Sequence, residues 1–372
     1  MKVALIHDHL AQDGGAEKVL KSLTELFPDA PIYTLLYEAK NVAKNFASRE
    51  IITSVIQKLP GGVRHYKWYL FFMPLAVEFF DLREYDLVIS DASAFAKGVL
   101  TTTDTTHICY CHTPTRYLWS DAHEYLNELP YNKWLKKIIS LVLSRLRLWD
   151  FAAAQRADYF LANSQTVSQR IKKYYRRDSV VVYPPVEVDQ FYIAEGGPAK
   201  NDEAYFLIGC RLAPYKRVDL VIEAFKQLGS AYKLKIFGDG IDRPRLEKLA
   251  AGYSNIEFLG QVTQEEKAGL YARCLAFINP QEEDFGITVV ETMASGRPVI
   301  AYQKGGATET VIEGKSGLFF KEQTAEALAA VVRGFKNENF DSEAIREQAK
   351  LYSAANFKQQ ITDFISQIKK GD

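Results

Sequence analysis

Short apolar runs alternate with amphipathic stretches along most of the chain. In the first half the runs fall at 2–8 (KVALIHD), 31–36, 86–91 (DLVISD), 106–111 (THICYC), 159–163 and 179–183. In the second they fall at 205–210 (YFLIGC), 233–238 (KLKIFG), 255–259, 275–279 (LAFIN), 298–302 (PVIAY) and 317–320. Helical periodicity separates most of them, at 15–27, 218–228, 242–251, 263–273, 287–294 and 323–334. Short apolar strands divided by helices predict parallel sheets covered on both faces. A β-branched run stops at Tyr183-Pro184-Pro185, where two prolines favour a break. The stretch 194–203 (AEGGPAKNDE) reads as a linker. The fold class is therefore α/β: two Rossmann-like domains, 1–185 and 200–350, with parallel sheets facing an interdomain cleft. Residues 353–370 form a last helix, with Phe357, Ile361, Phe364, Ile365 and Ile368 on one stripe.

The length of 372 residues agrees with about two domains. With 47% hydrophobic and 25% charged residues, the chain is neither disordered nor collagen-like. Lys+Arg and Asp+Glu both number 46, which argues against a nucleic-acid partner. That balance hides an asymmetry: the half up to residue 183 is net basic and the remainder net acidic. The cysteines Cys109, Cys111, Cys210 and Cys274 lack C-x-x-C spacing and read as buried thiols of a reducing compartment. The chain opens on a strand-like run without a signal-peptide pattern, and no 18-residue apolar run occurs, so a cytoplasmic protein is expected.

Four constellations carry candidate chemistry. Asp13-Gly14-Gly15-Ala16-Glu17 follows the first strand, where glycines let backbone approach a ligand and a helix start aims N–H groups at it. It fails G-x-G-x-x-G, which argues against a standard dinucleotide site. Taken alone, it is equally a plain strand-to-helix turn. Arg211 and Lys216 lie between a strand end and a helix. A guanidinium forks onto phosphate oxygens while an ammonium acts as a mobile charge, and the two together can neutralise a diphosphate.

The third constellation, Glu283-Asp284-Phe285-Gly286-Ile287-Thr288-Val289-Val290-Glu291, is the most specific. Gly286 and Ile287 offer amides at a helix start, where an anion is favoured. The two carboxylates instead need neutral hydroxyls on either side of that anion. Sugar hydroxyls flanking a diphosphate describe a nucleotide sugar. The fourth is His112 in CYCHTPTRYLW, at a strand C-terminus, where ligands sit in open α/β sheets.

GGAE after the first strand, the R-x4-K pair and the E-x7-E segment resemble a retaining glycosyltransferase of the GT-B fold, in family 4, over essentially the whole chain. The runs RLAPYKRVDLVIEAF and CYCHTPTRYLW look like the WbaZ-like mannosyltransferase subgroup of O-antigen assembly. The resemblance implies that Glu283 binds the donor sugar, Glu291 the ribose, and Arg211 and Lys216 the diphosphate. It places Gly286, Ile287 and Thr288 on the donor, His112 at its sugar, and Gly14 and Gly15 near the diphosphate. It also implies that the last helix crosses back onto the first domain. Two departures stand out: Arg217 where many members have glycine, and Cys210 inserted before the arginine.

The chain has no D-x-D triplet, so no metal or other cofactor is expected. The implied activity is transfer of mannose from GDP-mannose to a lipid-linked or growing saccharide in cell-surface polysaccharide biosynthesis. Front-face departure and attack is favoured over a covalent glycosyl-enzyme. The alternatives are a UDP-sugar donor, a nucleotide-sugar 2-epimerase of the same architecture, and a non-catalytic sensor. Residues 131–149 (YNKWLKKIISLVLSRLRLW) hold five basic residues, no acid, and tryptophans near both ends. Such a helix either lies on an anionic membrane surface or packs in a core with basic edges. The aromatic stretch 66–80 is likewise a buried helix or part of an acceptor groove for lipid.

Overall fold

The computed structural model describes residues 1–12 and 14–371. Asp13 of the glycine turn lies outside the described residues. The chain divides into two units, Met1–Pro184 with Phe357–Asp372, and Pro185–Asn356. Among the described residues no helix is long and apolar enough to cross a membrane.

The first unit holds strands β1 (Val3–Leu10), β2 (Ile32–Tyr37), β3 (Ile51–Thr53), β4 (Leu87–Ala92), β5 (Thr106–Cys111), β6 (Tyr159–Ala162) and β7 (Val180–Val181). They form one sheet in the order β3-β2-β1-β4-β5-β6-β7, with every pairing parallel. The register is set in the middle, where Leu5 lies opposite Ile32 on one side and Ile89 on the other. Alternate residues serve opposite faces, as a pleated strand requires. Ile6, Val88, Cys109 and Phe160 join one core with Leu146 and Tyr175. Leu5, Ile89, Ile108 and Tyr110 join the other with Val19, Leu23, Phe357 and Ile361. The second core explains the C-terminal helix, Ala354–Gly371. Its apolar stripe covers the sheet, with the Phe357 ring 5.7 Å from Tyr110. Each such buried side chain contributes about 1.5–3 kcal/mol.

The second unit holds β8 (Phe206–Gly209), β9 (Leu234–Phe237), β10 (Ile256–Gly260), β11 (Phe277–Asn279), β12 (Val299–Tyr302) and β13 (Gly317–Phe320), again wholly parallel, in the order β10-β9-β8-β11-β12-β13. Helices Val218–Leu228 and Ala325–Gly334 bury Val221, Phe225, Leu328 and Val332 against Phe206, Ile208 and Ile300. Residues 194–203 lie inside this unit, where the Ala199 amide donates to the Arg273 carbonyl at 2.9 Å.

The twelve strands expected from apolar runs are present, and β3 is an addition. Its three residues are too few to show a period, and among the described residues it is a half-buried edge strand paired with β2 alone. In each sheet the strand order reverses once, between β1 and β4 and between β8 and β11. Chains leaving the C-terminal ends of those neighbours turn opposite ways and leave a crevice. Gly14 and Gly15 follow β1, Arg211 and Lys216 follow β8, and Glu283 through Glu291 follow β11, whereas His112 follows β5, the neighbour of β4.

Candidate functional site

In the second unit the site is built on the segments following β8 and β11. After β8 the chain passes Arg211 and a short 3₁₀ turn, Pro214–Lys216, before the helix Val218–Leu228. Arg211 is exposed, and its Nη2 donates to the Tyr215 hydroxyl at 2.8 Å. Lys216 points inward and forms an ion pair with Glu283 Oε1, and its ammonium sits 5.2 Å from the Tyr215 ring centre. Burial opposes the charge on Lys216, but Glu283 outweighs it and holds the ammonium above the ordinary lysine range. Burial also pushes the neighbouring Cys210 thiol up to about 12, which keeps it protonated and unreactive.

Arg217 follows in the left-handed region, at φ 52° and ψ 34°. That is the conformation glycine adopts freely and other residues at about 1–2 kcal/mol, which accounts for the glycine expected there. The Arg217 guanidinium donates to Gln323 Oε1 at 3.1 Å and approaches Asp219 Oδ1 at 3.4 Å. Gln323 Nε2 in turn donates to the Pro280 carbonyl at 2.9 Å. The departure from glycine thus ties the turn after β8 to the loop after β11.

That second loop carries Glu283. Gln281 Nε2 donates to Glu283 Oε1 at 2.7 Å, and the Glu283 carbonyl accepts from the Gly306 amide at 2.8 Å. Gly305 is needed beside it: φ is +66° and an added Cβ would lie 2.3 Å from the Glu283 carbonyl oxygen. Gly286, at φ +90°, turns the chain into the helix Ile287–Ala294. Ile287 and Thr288 stand in its first turn, where amides have no intrahelical acceptor. Glu291 is buried further along, with Lys267 Nζ 3.1 Å from each carboxylate oxygen and the Tyr271 hydroxyl donating at 3.4 Å.

The structure therefore brings Lys216, Glu283 and the start of this helix together at the crevice of one sheet. The sequence separated Lys216 and Glu283 by role, cation and hydroxyl acceptor; in the folded unit they neutralise one another. The sequence patterns pass over Lys267, Gln281 and Gln323. Lys267 sits in a helix reading only as amphipathic, and no local spacing relates it to Glu291. Gln281, two residues from Glu283, was the legible one.

In the first unit, Gly14 caps the helix Gly15–Leu26, and its amide donates to Glu17 Oε2 at 2.9 Å. His112 Nε2 donates to Asp91 Oδ1 at 2.6 Å, and His7 Nδ1 donates to Asp91 Oδ2 at 2.8 Å. Glu17 Oε1 lies 3.7 Å from His7 Nε2. Burial opposes a charged His7, but Asp91 and Glu17 prevail and its pKa is pushed up to about 10. Burial also opposes the Asp91 charge, yet its two histidines hold the carboxyl below its ordinary value. Asp91 fixes the His112 ring so that Nε2 faces inward. Asp8 serves the fold rather than a ligand, since its two oxygens accept from the amides of Ser93, Ala94, Phe95 and Ala96 at 2.6–2.7 Å. Neither Asp8 nor Asp91 stood out in the sequence, because they approach these partners only when strands β1, β4 and β5 pair.

Two family models match in tandem: Glycosyltransferase Family 4 over residues 13–190 and Glycosyl transferases group 1 over residues 189–352. Among curated relatives, the chain is 24% identical over 98% of its length to alpha-1,3/1,6-mannosyltransferase ALG2 of Dictyostelium discoideum, covering 95% of that protein. It is 26% identical over 54% of its length to the uncharacterized glycosyltransferase MJ1178 of Methanocaldococcus jannaschii, spanning 56% of that relative. In fold it is similar to Anabaena HepE crystallised with UDP-glucose, with TM-score 0.71, 18% identity, and coverage of 99% of this chain and 100% of that one.

Proposed function

We propose that this chain, a family 4 glycosyltransferase of the GT-B fold, transfers mannose from GDP-mannose to a lipid-linked or growing saccharide with retention of configuration. The observation carrying the donor class is the Lys216–Glu283 pair beside the helix start at Gly286. Cation, carboxylate and amides together suit a diphosphate attached to a sugar. In this reading Lys216 and Arg211 take the diphosphate, and its β-phosphate competes with Glu283 for the ammonium. The amides of Gly286, Ile287 and Thr288 share that charge. Glu283, released from Lys216, accepts from donor-sugar hydroxyls, and Glu291 accepts from the ribose.

On the first unit, His112, oriented by Asp91, is assigned to a hydroxyl of the transferred sugar, and Gly14 and Gly15 to close backbone approach. The anomeric C–O bond breaks toward the diphosphate, the acceptor oxygen attacks from the same face, and the departing phosphate oxygen takes the acceptor proton. The WbaZ-like resemblance and the full-length similarity to a mannosyltransferase support mannose. A UDP-sugar is the second reading, favoured by the fold similarity to HepE with UDP-glucose.

A thermal-shift panel of GDP, UDP, ADP and their sugars tests the donor. A ligand at 100 times its dissociation constant adds about 2.7 kcal/mol to stability. GDP and GDP-mannose are expected to give the largest shifts, and the transferred product should keep the α configuration by NMR. A larger shift with UDP replaces the donor; interconversion of the donor without transfer replaces the transferase by an epimerase.

A further inference from the structure

We propose that the N-terminal unit seats on an anionic membrane surface through a footprint built from residues 66–79 and 131–148. The first segment is a 3₁₀ turn, Tyr66–Phe72, followed by the helix Met73–Glu78. Met73, Ala76 and Val77 are buried, while Trp68, Phe71, Phe72, Leu75 and Phe79 face outward, Trp68 with 72% exposure. The inner face packs on the core and the outer face is apolar as well, with Trp68 stacked on His65 at 4.5 Å and Phe71 edge-on to Phe72 but all three aromatics still exposed. Its carboxylate, Glu78, is turned away to Trp149 Nε1 at 2.9 Å and Arg156 at 2.7 Å.

The second segment belongs to the helix Lys133–Ala154. From its middle onward it is anchored by Leu143, Leu146, Ala153 and Ala154. Its N-terminal half turns an apolar side outward, with Trp134 and Leu141 exposed by 78% and 69%, alongside Leu135 and Ile138. Lys133, Lys136 and Lys137 share that half, and the Lys137 ammonium lies 5.1 Å from the Trp134 ring centre. The bond from Trp149, next along the same helix, to Glu78 ties the helix to the first segment, and Tyr69 and Leu70 pack on the same core as Ile139 and Val142.

Charge decides the occupant. Residues 131–149 carry five cations and no anion, so a second copy related by a two-fold axis would bring like charges together. An anionic headgroup layer meets the cations, and the indole and phenyl rings enter the interfacial level where aromatics are favoured. The footprint also has a consistent location. The Tyr66 ring lies 5.1 Å from that of His9, near the C-terminal end of β1, which is the ligand end of the sheet. A lipid-borne acceptor would therefore arrive at that end. The proposal needs no transfer activity and stands or falls separately from the donor reading.

The test is sedimentation of the full chain with phosphatidylglycerol–phosphatidylcholine vesicles and with phosphatidylcholine vesicles alone. Wild-type protein should pellet with the first and be released by salt. A lysine near an anionic surface strengthens binding about fivefold, so Lys133→Gln, Lys136→Gln and Lys137→Gln combined should weaken it about a hundredfold. Trp68→Ser with Phe71→Ser should weaken binding at every salt concentration. All five positions are outside the packed core, and melting temperatures will verify folding. Failure of the wild type to pellet, or unchanged binding by both variants, overturns the proposal. So does a finding by light scattering that the serine variant abolishes a dimer, which would make the face a protein interface.

Discussion

Lys216→Ala separates the catalytic meaning of the central ion pair from its structural one. The substitution leaves Glu283 Oε1 with Gln281 Nε2 at 2.7 Å as a remaining donor. The two side chains are 16% and 19% exposed, so the pair is neither at the surface nor fully buried. An exposed pair contributes about 0–1 kcal/mol, and breaking a buried one costs about 3–5 kcal/mol. A loss of about 1–2 kcal/mol follows for this site. In a domain of about 150–250 residues each kcal/mol moves Tm by about 2–4 °C, so a fall of about 2–8 °C is expected. The effect on turnover should be far larger. Loss of one preorganised group facing a developing charge lowers kcat by about 10²–10³. Sugar transfer and nucleotide release are to be measured beside thermal unfolding, together with the double variant Lys216→Met/Glu283→Gln. If the pair is only structural, the double variant regains Tm and both variants keep turnover within a few-fold of wild type. Turnover of Lys216→Ala within a few-fold of wild type would refute the reasoning, because Lys216 would then serve only to neutralise Glu283.

Glu283→Gln keeps the side-chain shape but weakens a charge-assisted bond of about 1.5–3 kcal/mol, so transfer should slow while GDP binding is nearly unchanged. Glu291→Gln should weaken GDP and GDP-mannose alike; titration calorimetry on both variants decides, and a reversed pattern would exchange their assigned ends of the donor. His7 supplies a pH test. Its folded pKa, about 10, exceeds its ordinary value of 6.5, so its stabilisation is complete below about pH 6.5 and is lost as pH rises toward 10. The melting temperature should decline across that window, and His7→Gln should flatten the decline; an equal decline in the variant would exclude His7 as its source.

The sequence by itself determined the architecture and the neighbourhoods of the chemistry. Apolar runs at 86–91 or 298–302 are short, continuous and separated by helical periods, and only a covered parallel sheet buries both faces of such strands. The motifs after 205–210 and 275–279 were also legible locally, since a glycine before a helix start and a cation after a strand carry their meaning in adjacent residues. What the tertiary structure alone decided is which groups meet. Strand order puts β8 beside β11 although 67 positions separate Lys216 from Glu283, and it puts β4 between β1 and β5 so that Asp91 reaches both His7 and His112. The exposure of Trp68 and Trp134 was equally undecidable in sequence. An apolar stripe has the same period whether or not another element covers it, and covering is settled by packing.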